Sequence, residues 1–326
     1  MQSRKKNIKI LVTLGPSSLN KEFLKFCINK ISLLRLNMSH ISIGKLQLLI
    51  NFIRKYNKVT PICIDTEGAQ IRTKVKRKIF LKKNKEFYFY KTNNEMSLYP
   101  KETLSLLEKK DILLIGFENL SVKVVKVLKD KILLKVITSG FLEGNKGVHL
   151  KNRKITLNFL TKKDEKAISI GKYNQIKNFA LSFTNTVADI KNFNKILKTE
   201  NKIYKIETSR AIKGLKKILN AGNQFLIDRG DLSKEVEIEK IPYIQRKIIK
   251  NSKNFKKKKQ IFIATNLLES MVNNIYPTRA EANDIFNCLE LGASGLVLAA
   301  ETAIGKHPIE AITFLRKMIK EYQRNA

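Results

Sequence analysis

Short apolar runs that end in polar residues recur along the chain and alternate with segments of helical character. The first three runs span residues 7–14, 31–36 and 61–64, and we expect them to be buried strands. Helices are predicted between them at residues 21–30 and 43–56. Strands that alternate with helices form parallel sheets, whose carboxyl ends share one edge. The pattern therefore predicts that the polar endings of these strands lie on one side of the sheet.

The pattern changes between residues 73 and 153. Short strands without a long helical period are predicted there, at residues 79–80, 86–90, 111–115, 120–127 and 131–137. This segment is expected to be a small all-β domain inserted after the third strand.

Alternation of strands and helices resumes at residue 160. Five more strands are predicted at residues 179–183, 201–206, 225–228, 261–264 and 295–299, followed by a last helix at 308–322. Eight strand–helix units predict an α/β fold, a (β/α)8 TIM barrel, with the polar endings on its top face. The predicted barrel comprises residues 1–72 and 154–326, and the insert comprises residues 73–153.

Composition narrows the possible classes of protein. With 326 residues, of which 43% are hydrophobic, the chain can bury one large core and is unlike a disordered sequence. It has no run of 18 apolar residues, so no membrane-spanning helix is predicted. Cys27, Cys63 and Cys288 lack zinc-site or CxxC spacing, which favours a reducing, cytoplasmic location.

The formal net charge of +36 is typical of nucleic-acid-binding proteins. The lysines are spread almost evenly, however, and Asn and Ile are abundant beside them. AT-rich codons favour these three residues together, so we interpret the charge as genomic bias and do not expect a nucleic-acid partner.

Two charged strand endings are the main candidates for chemistry. Lys205 and Glu207 are two residues apart on one predicted strand, so their side chains point to the same side. Asp231 follows the next strand, and two carboxylates at neighbouring strand ends suit Mg²⁺. A lysine beside this metal would stabilise developing negative charge. Taken alone, the stretch favours a Lys/Glu ion pair at a strand end and a surface turn over a metal site; the rest of the chain reverses this preference.

Several motifs resemble those of pyruvate kinases, in the same order along the chain and at matching strand ends. They lie at residues 13–17 (Thr-x-Gly-Pro-Ser), 35–40 (Arg-x-Asn-x-Ser-His), 65–72 (Asp-Thr-x-Gly-x-x-Ile-Arg), 146–150 (Lys-Gly-Val-x-Leu), 205–207 (Lys-Ile-Glu), 229–232 (Arg-Gly-Asp-Leu), 263–271, 277–281 and 301–303. The resemblance covers residues 7 to about 322.

This resemblance implies phosphoryl transfer from phosphoenolpyruvate to ADP, and protonation of the enolate to give pyruvate. Glu207 and Asp231 would hold Mg²⁺, while Lys205 and Arg35 would contact the transferring phosphoryl group. The backbone at Gly230 and Asp231 would receive the substrate carboxylate, and Thr265 would contact the substrate near the protonated carbon.

The resemblance also implies a monovalent cation site and a nucleotide site. The ligands of K⁺ would be Asn37, Ser39, Asp65 and Thr66. The nucleotide contacts would be Asn37, His40, Arg72 and Lys146. Because Lys146 belongs to the insert, the insert would act as a lid that closes over ADP.

Four departures from the family pattern affect these expectations. Gln70 replaces the family's Glu or Lys, which leaves the K⁺ requirement open. Residues 116–119 replace the Asp-Asp-Gly turn of the lid, so its closure is not predicted. Asp228 replaces a small residue, and it would tighten metal binding or repel the substrate carboxylate. The family's C-terminal effector domain is expected to be absent, which predicts a monomer or homodimer without activation through that domain.

Two other functions remain open from the sequence. One is a non-catalytic relic that binds nucleotide or nucleic acid through a basic surface. The other is a different Mg²⁺-dependent barrel enzyme that acts on pyruvate or phosphoenolpyruvate, such as an aldolase or lyase. Arg72 and Lys146 favour a nucleotide substrate and therefore a kinase.

Overall fold

A computed structural model describes residues 7–91, 95–116, 120–151, 153 and 155–325. The N-terminal part of the chain forms three strands separated by two helices. They are β1 (Lys9–Thr13), α1 (Lys21–Phe26), β2 (Leu33–Asn37), α2 (Ile43–Tyr56) and β3 (Ile62–Asp65). Asn20 caps α1, since its side chain accepts a hydrogen bond from the Phe23 N–H.

The following segment is composed almost entirely of short strands. They are β4 (Ile71–Val75), β5 (Ile79–Leu81), β6 (Glu86–Tyr90), β7 (Met96–Tyr99), β8 (Ile112–Ile115), β9 (Leu120–Val127), β10 (Lys131–Thr138), β11 (Gly140–Leu142) and β12 (Gly147–Leu150), with a 3₁₀ helix at Lys101–Leu106. β10 alternates buried residues with more exposed ones from Lys131 to Lys135, which is the pattern of a sheet with one buried face.

The rest of the chain returns to alternating helices and strands. The elements are α3 (Lys162–Tyr173), β13 (Asn178–Leu181), α4 (Val187–Ile196), β14 (Asn201–Ile206), α5 (Ser209–Lys213), α6 (Leu215–Ala221), β15 (Gln224–Asp228), α7 (Arg229–Leu232), α8 (Ile241–Ser252), β16 (Gln260–Ala264), α9 (Arg279–Leu291), β17 (Gly295–Leu298), α10 (Ala300–Ala303) and α11 (Pro308–Asn325). Capping boxes at Thr186 and Thr278 begin α4 and α9.

Eight parallel strands close into a barrel in the order β1-β17-β16-β15-β14-β13-β3-β2. The predicted (β/α)8 barrel is therefore confirmed. Its interior is filled by one or two apolar side chains from each strand: Leu11, Leu33, Cys63, Ala180, Ile203, Leu226, Phe262, Ala264 and Val297. Because the interior is packed with apolar side chains, polar side chains can cluster only at the carboxyl ends of the strands, outside this core.

The insert is an antiparallel β unit with its own core, as expected from its sequence. Seven of its strands pair in the order β6-β10-β9-β8-β12-β4-β7, and β5 pairs with β11. Residues from most of these strands pack into one buried apolar cluster, which includes Phe89, Leu113, Val122 and Leu134.

The chain divides into two compact units, one of residues 1–68 and 162–326 and the other of residues 69–161. The sequence analysis set these boundaries at 72/73 and 153/154. The first differs because β4 pairs, among the described strands, with β7 and β12, which both belong to the second unit. Of the predicted lid turn at residues 116–119, residues 117–119 lie outside the described residues.

Several predicted element ends differ from the structure. The fourth barrel strand stops at Leu181 instead of Phe183, because the Phe183 backbone adopts a φ of 50° that a strand cannot contain. The first helix ends at Phe26, before a turn in which Asn29 has a φ of 58°.

In the part of the chain that the structure describes, no helix combines the length and apolar character needed to cross a bilayer.

Candidate active site

Five charged side chains are buried together at the carboxyl ends of neighbouring barrel strands. They are Arg35 on β2, Asp65 at the end of β3, Lys205 on β14, Glu207 directly after β14, and Asp228 at the end of β15. None is more than 5% exposed. Charged side chains are rarely buried, and buried groups of them are often functional sites. These five residues are therefore a candidate active site, and not an ion pair on the surface.

Lys205 is the centre of this group. Its Nζ lies 2.7 Å from Glu207 Oε1, 3.4 Å from Asp65 Oδ2 and 3.5 Å from Asp228 Oδ2. It also donates a hydrogen bond of 3.1 Å to Ser182 Oγ. Burial tends to lower the pKa of Lys205, but the three carboxylates outweigh it and raise this pKa above its ordinary value. The ammonium group is therefore a permanent positive charge at the strand ends.

Arg35 is held against Asp65 by short contacts. Its Nε donates to Asp65 Oδ2 at 2.6 Å, and its second terminal nitrogen lies 2.6 Å from the same oxygen. The other terminal nitrogen donates to Thr13 Oγ1 at 2.8 Å. Ser182 Oγ lies 3.2 Å from Asp65 Oδ1, so Ser182 joins the Arg35–Asp65 pair to Lys205. Two fixed cations in one buried site suit a strongly anionic ligand.

Three carboxylates converge beside Lys205. Glu207, Asp228 and Asp231 each offer one oxygen, and these oxygens all lie within 4.8 Å of one another. Octahedral Mg²⁺ holds oxygen ligands at 2.0–2.1 Å, which places them about 3–4 Å apart, so small side-chain adjustments would complete such a set. Hard oxygen donors and this spacing fit Mg²⁺, and the residues that would hold it include the predicted pair Glu207 and Asp231.

The electrostatics of Glu207 also suit a cation. Burial raises the pKa of the Glu207 carboxyl above its ordinary value; Lys205 acts in the opposite direction, but Asp231 and Asp228 raise the pKa further. The Phe183 N–H donates to Glu207 Oε2 at 2.6 Å, which fixes the side chain. A divalent cation would compensate the carboxylates that now repel one another here.

Thr265 and Gly230 lie together next to the carboxylates. The Gly230 N–H donates to Thr265 Oγ1 at 2.8 Å, and Arg229 binds the Thr265 carbonyl oxygen through two nitrogens at 2.6 and 3.0 Å. Thr265 has a φ of 70°, an uncommon conformation for a β-branched residue. Such backbone strain persists only where surrounding contacts impose it, and the two contacts of Arg229 with the Thr265 carbonyl oxygen hold this backbone in place.

The residues predicted to bind K⁺ all lie in the barrel unit. Asn37 is in register with Asp65, and its Oδ1 accepts a hydrogen bond from the Ser39 N–H at 3.0 Å. Thr66 is buried, and its Oγ1 accepts from the Ser182 N–H at 3.0 Å. Asp65 Oδ2 already accepts a hydrogen bond from Arg35. The K⁺ site remains a prediction.

The four predicted nucleotide contacts are divided between the two units. Asn37 and His40 belong to the barrel unit, whereas Arg72 and Lys146 belong to the inserted unit. Within the inserted unit, Gly147 is in register with Arg72, so Lys146 lies opposite Thr73, whose N–H donates to the Lys146 carbonyl oxygen at 2.8 Å. Lys146 Nζ forms an ion pair of 2.9 Å with Glu143.

The sequence analysis missed two polar residues of the site. Ser182 was placed inside a predicted strand, although it bonds Lys205 and Asp65 after the strand has ended. Thr13 was part of a motif, but no role was assigned to its contact with Arg35. The sequence signal for Thr13 was its place in the motif at residues 13–17, and the signal for Ser182 was its polar side chain near the end of a predicted strand.

Comparisons with known proteins identify the family of this chain. The family model "Pyruvate kinase, barrel domain" matches residues 5–312. The chain is 35% identical to the pyruvate kinase of Methanocaldococcus jannaschii, over 96% of this chain and 68% of that protein. It is 31% identical to the pyruvate kinase of Thermotoga maritima, over 98% and 72% respectively.

A plastid relative matches a smaller share of its own length. Plastidial pyruvate kinase 3 of Arabidopsis thaliana is 33% identical over 96% of this chain, which spans only 57% of that protein. The matches to this relative and to the archaeal and bacterial enzymes cover nearly all of this chain, including its barrel and its inserted β unit. This chain belongs to the pyruvate kinase family.

Proposed function

We propose that this chain catalyses the pyruvate kinase reaction, the last step of glycolysis. The bond between phosphorus and the enol oxygen of phosphoenolpyruvate breaks, and a new bond forms between phosphorus and a terminal oxygen of ADP. The enolate then takes up a proton on carbon to become pyruvate. The observation that carries the proposal is that Lys205 and Arg35 are buried with Asp65, Glu207 and Asp228 at the strand ends of a pyruvate kinase barrel.

Lys205 and Arg35 are proposed to bind and neutralise the phosphoryl group. Both are fixed by short contacts, so little reorganisation is needed when charge develops on the phosphoryl oxygens. Glu207 and Asp231 are proposed to hold Mg²⁺, which would supply further neutralisation of these oxygens. Such positioning by fixed charges is the main requirement of phosphoryl transfer.

Thr265, Gly230 and Asp231 are proposed to orient the substrate. A substrate carboxylate at the Gly230 N–H must compete with the Thr265 hydroxyl, which now accepts this hydrogen bond. Displacement from Gly230 would free the Thr265 hydroxyl for contact with the substrate. We therefore propose that, when substrate binds, the Gly230 N–H donates to the substrate carboxylate instead of to the Thr265 hydroxyl.

The nucleotide and monovalent cation are proposed to use the remaining predicted residues. Asn37, His40, Arg72 and Lys146 would contact ADP, and K⁺ would be held by Asn37, Ser39, Asp65 and Thr66.

A cytosolic location is proposed as well, supported by three buried cysteines that all carry free thiols.

The proposed activity is tested by measuring pyruvate formation from phosphoenolpyruvate and ADP by the purified chain. We expect turnover that requires Mg²⁺, and a comparison with and without K⁺ will decide the effect of Gln70. Moderate salt should be present to screen the net positive charge. A folded chain that binds nucleotide but forms no pyruvate would contradict the proposal and favour the non-catalytic relic.

A further inference from the structure

Asp228 differs from the other carboxylates of the site in its partners. Each of the others has a cation within 2.7 Å: Asp65 with Arg35, Glu207 with Lys205, and Asp231 with Lys234. Among the described residues, Asp228 forms an ion pair with Lys205 at 3.5 Å, and Lys205 makes its shorter contact with Glu207. Arg35 also acts on Asp228 electrostatically, but at longer range than its direct contact with Asp65, so Asp228 is the carboxylate of the site whose nearest cation is farthest away.

The hydrogen bonding of Asp228 is similarly weak. The Asp231 N–H lies 3.5 Å from its Oδ1, at the limit of a hydrogen bond. Only 5% of the residue is exposed, so bulk water can do little to solvate the carboxylate. A buried carboxylate with long contacts is costly, and a nearby cation would reduce this cost.

Asp228 is also well placed to share a cation with its neighbours. One of its oxygens lies within 4.8 Å of an oxygen of Glu207 and an oxygen of Asp231. Mg²⁺ sites in enzymes commonly use one or two carboxylates and rely on substrate phosphates for the rest of the charge. A third carboxylate would remove much of this dependence on the substrate.

We propose that Asp228 is a third carboxylate ligand of the divalent metal, and that it tightens the binding of Mg²⁺ in the absence of phosphoenolpyruvate and ADP. The proposal rests on the proposed function, because that function assigns the metal to Glu207 and Asp231. It also decides between the two effects that the sequence left open, since a ligand of the metal tightens metal binding.

The test measures Mg²⁺ binding to the full chain by isothermal titration calorimetry, without phosphoenolpyruvate or ADP. We expect the wild type to bind one ion, and Asp228→Ala and Asp228→Asn to bind it at least about tenfold more weakly, which equals about 1.4 kcal/mol. Asp228→Asn keeps the shape of the side chain, so it separates the loss of charge from any change in folding. Circular dichroism checks that both variants are folded.

Glu310→Ala is the matched control. It removes one carboxylate from an exposed position in α11, so it changes the net charge by the same amount as Asp228→Ala. We expect it to bind Mg²⁺ like the wild type. Equal loss of affinity in this control would show that net charge alone is responsible and would overturn the proposal.

Two further results would overturn the proposal. One is unchanged Mg²⁺ affinity in both Asp228 variants together with a lower KM for phosphoenolpyruvate, as expected if Asp228 only repelled the substrate carboxylate. The other is a wild type that binds no Mg²⁺ without substrate. The metal titration needs no turnover, so weaker binding in the Asp228 variants of a chain that makes no pyruvate would support the metal site while contradicting the proposed activity.

Discussion

At the scale of single residues, the site depends on a buried balance of charge. Lys205 contacts three carboxylates, and Ser182 links it to the Arg35–Asp65 pair. A charge buried this deeply stabilises the folded state only while its partners are present, because the loss of one partner leaves the others uncompensated. The Lys205 side chain is therefore expected to contribute both to the stability of the folded state and to phosphoryl transfer.

Replacement of Lys205 by methionine tests both roles. We expect Lys205→Met to lower the turnover number by about 10²- to 10³-fold, since a fixed positive charge at the phosphoryl group is lost. The free energy of unfolding should fall by roughly 3–5 kcal/mol, because three carboxylates then share a buried site without the lysine. Turnover is measured by pyruvate formation, and stability by urea unfolding.

Lys234→Met is a suitable control for this variant. Lys234 pairs with Asp231 at 2.6 Å but is 18% exposed at its side chain, so its loss removes the same charge with a smaller burial cost. We expect it to lose less stability than Lys205→Met. If Lys205→Met turned over near the wild-type rate, its proposed role in phosphoryl transfer would be wrong.

At the scale of elements, the loop after β1 and the short helix α10 approach each other very closely. A Cβ added to Gly15 would lie 2.5 Å from the carbonyl oxygen of Ala303 and 2.9 Å from its Cα. The Ser17 N–H donates to the same carbonyl oxygen at 3.0 Å. The glycine in this motif is therefore needed for backbone packing where the first and last strands of the barrel meet.

A pair of glycine variants tests this packing. Gly15→Ala should lower the free energy of unfolding by about 1–3 kcal/mol, because the clash involves backbone atoms that must shift. Gly44→Ala, in α2, meets nothing within 4 Å and should instead raise it by roughly 0.5–1 kcal/mol through better helix propensity. Urea unfolding of both variants measures these values. Similar effects of the two substitutions would refute the packing argument.

At the scale of the whole molecule, the excess of positive charge opposes compactness. The chain has 64 Lys and Arg against 28 Asp and Glu. Most of this charge is on solvated side chains, where like charges repel over the Debye length of about 10 Å at 0.1 M salt. Folding brings these charges closer together, so their repulsion destabilises the folded state.

Thermal unfolding at increasing salt measures this repulsion. We expect the midpoint to rise between 50 mM and 500 mM NaCl, by roughly 1–2 °C for each kcal/mol of repulsion that is screened. KCl at the same concentrations should have the same effect, apart from any shift caused by K⁺ binding at a specific site. A midpoint that stays constant or falls with salt would contradict net self-repulsion.

The amino-acid sequence by itself determined the barrel, the insert and most of the site. Alternating apolar runs and helices are local patterns, and they set the element order that the structure shows. Lys205 and Glu207 could be placed on one side of a strand because side chains alternate along it. Their closeness to Asp231 followed from the shared edge of parallel strands.

Only the tertiary structure decided which of these polar groups are in contact. The turn at Phe183 directs its N–H to Glu207, and Ser182 just before it reaches Asp65 and Lys205. Such contacts depend on strand register and on turns with unusual backbone angles, to which residues far apart in the sequence contribute together. The long contacts of Asp228 are likewise visible only in the tertiary structure. The electrostatic balance of a site depends on the distances between its charges and on their burial, which the residue types alone do not give.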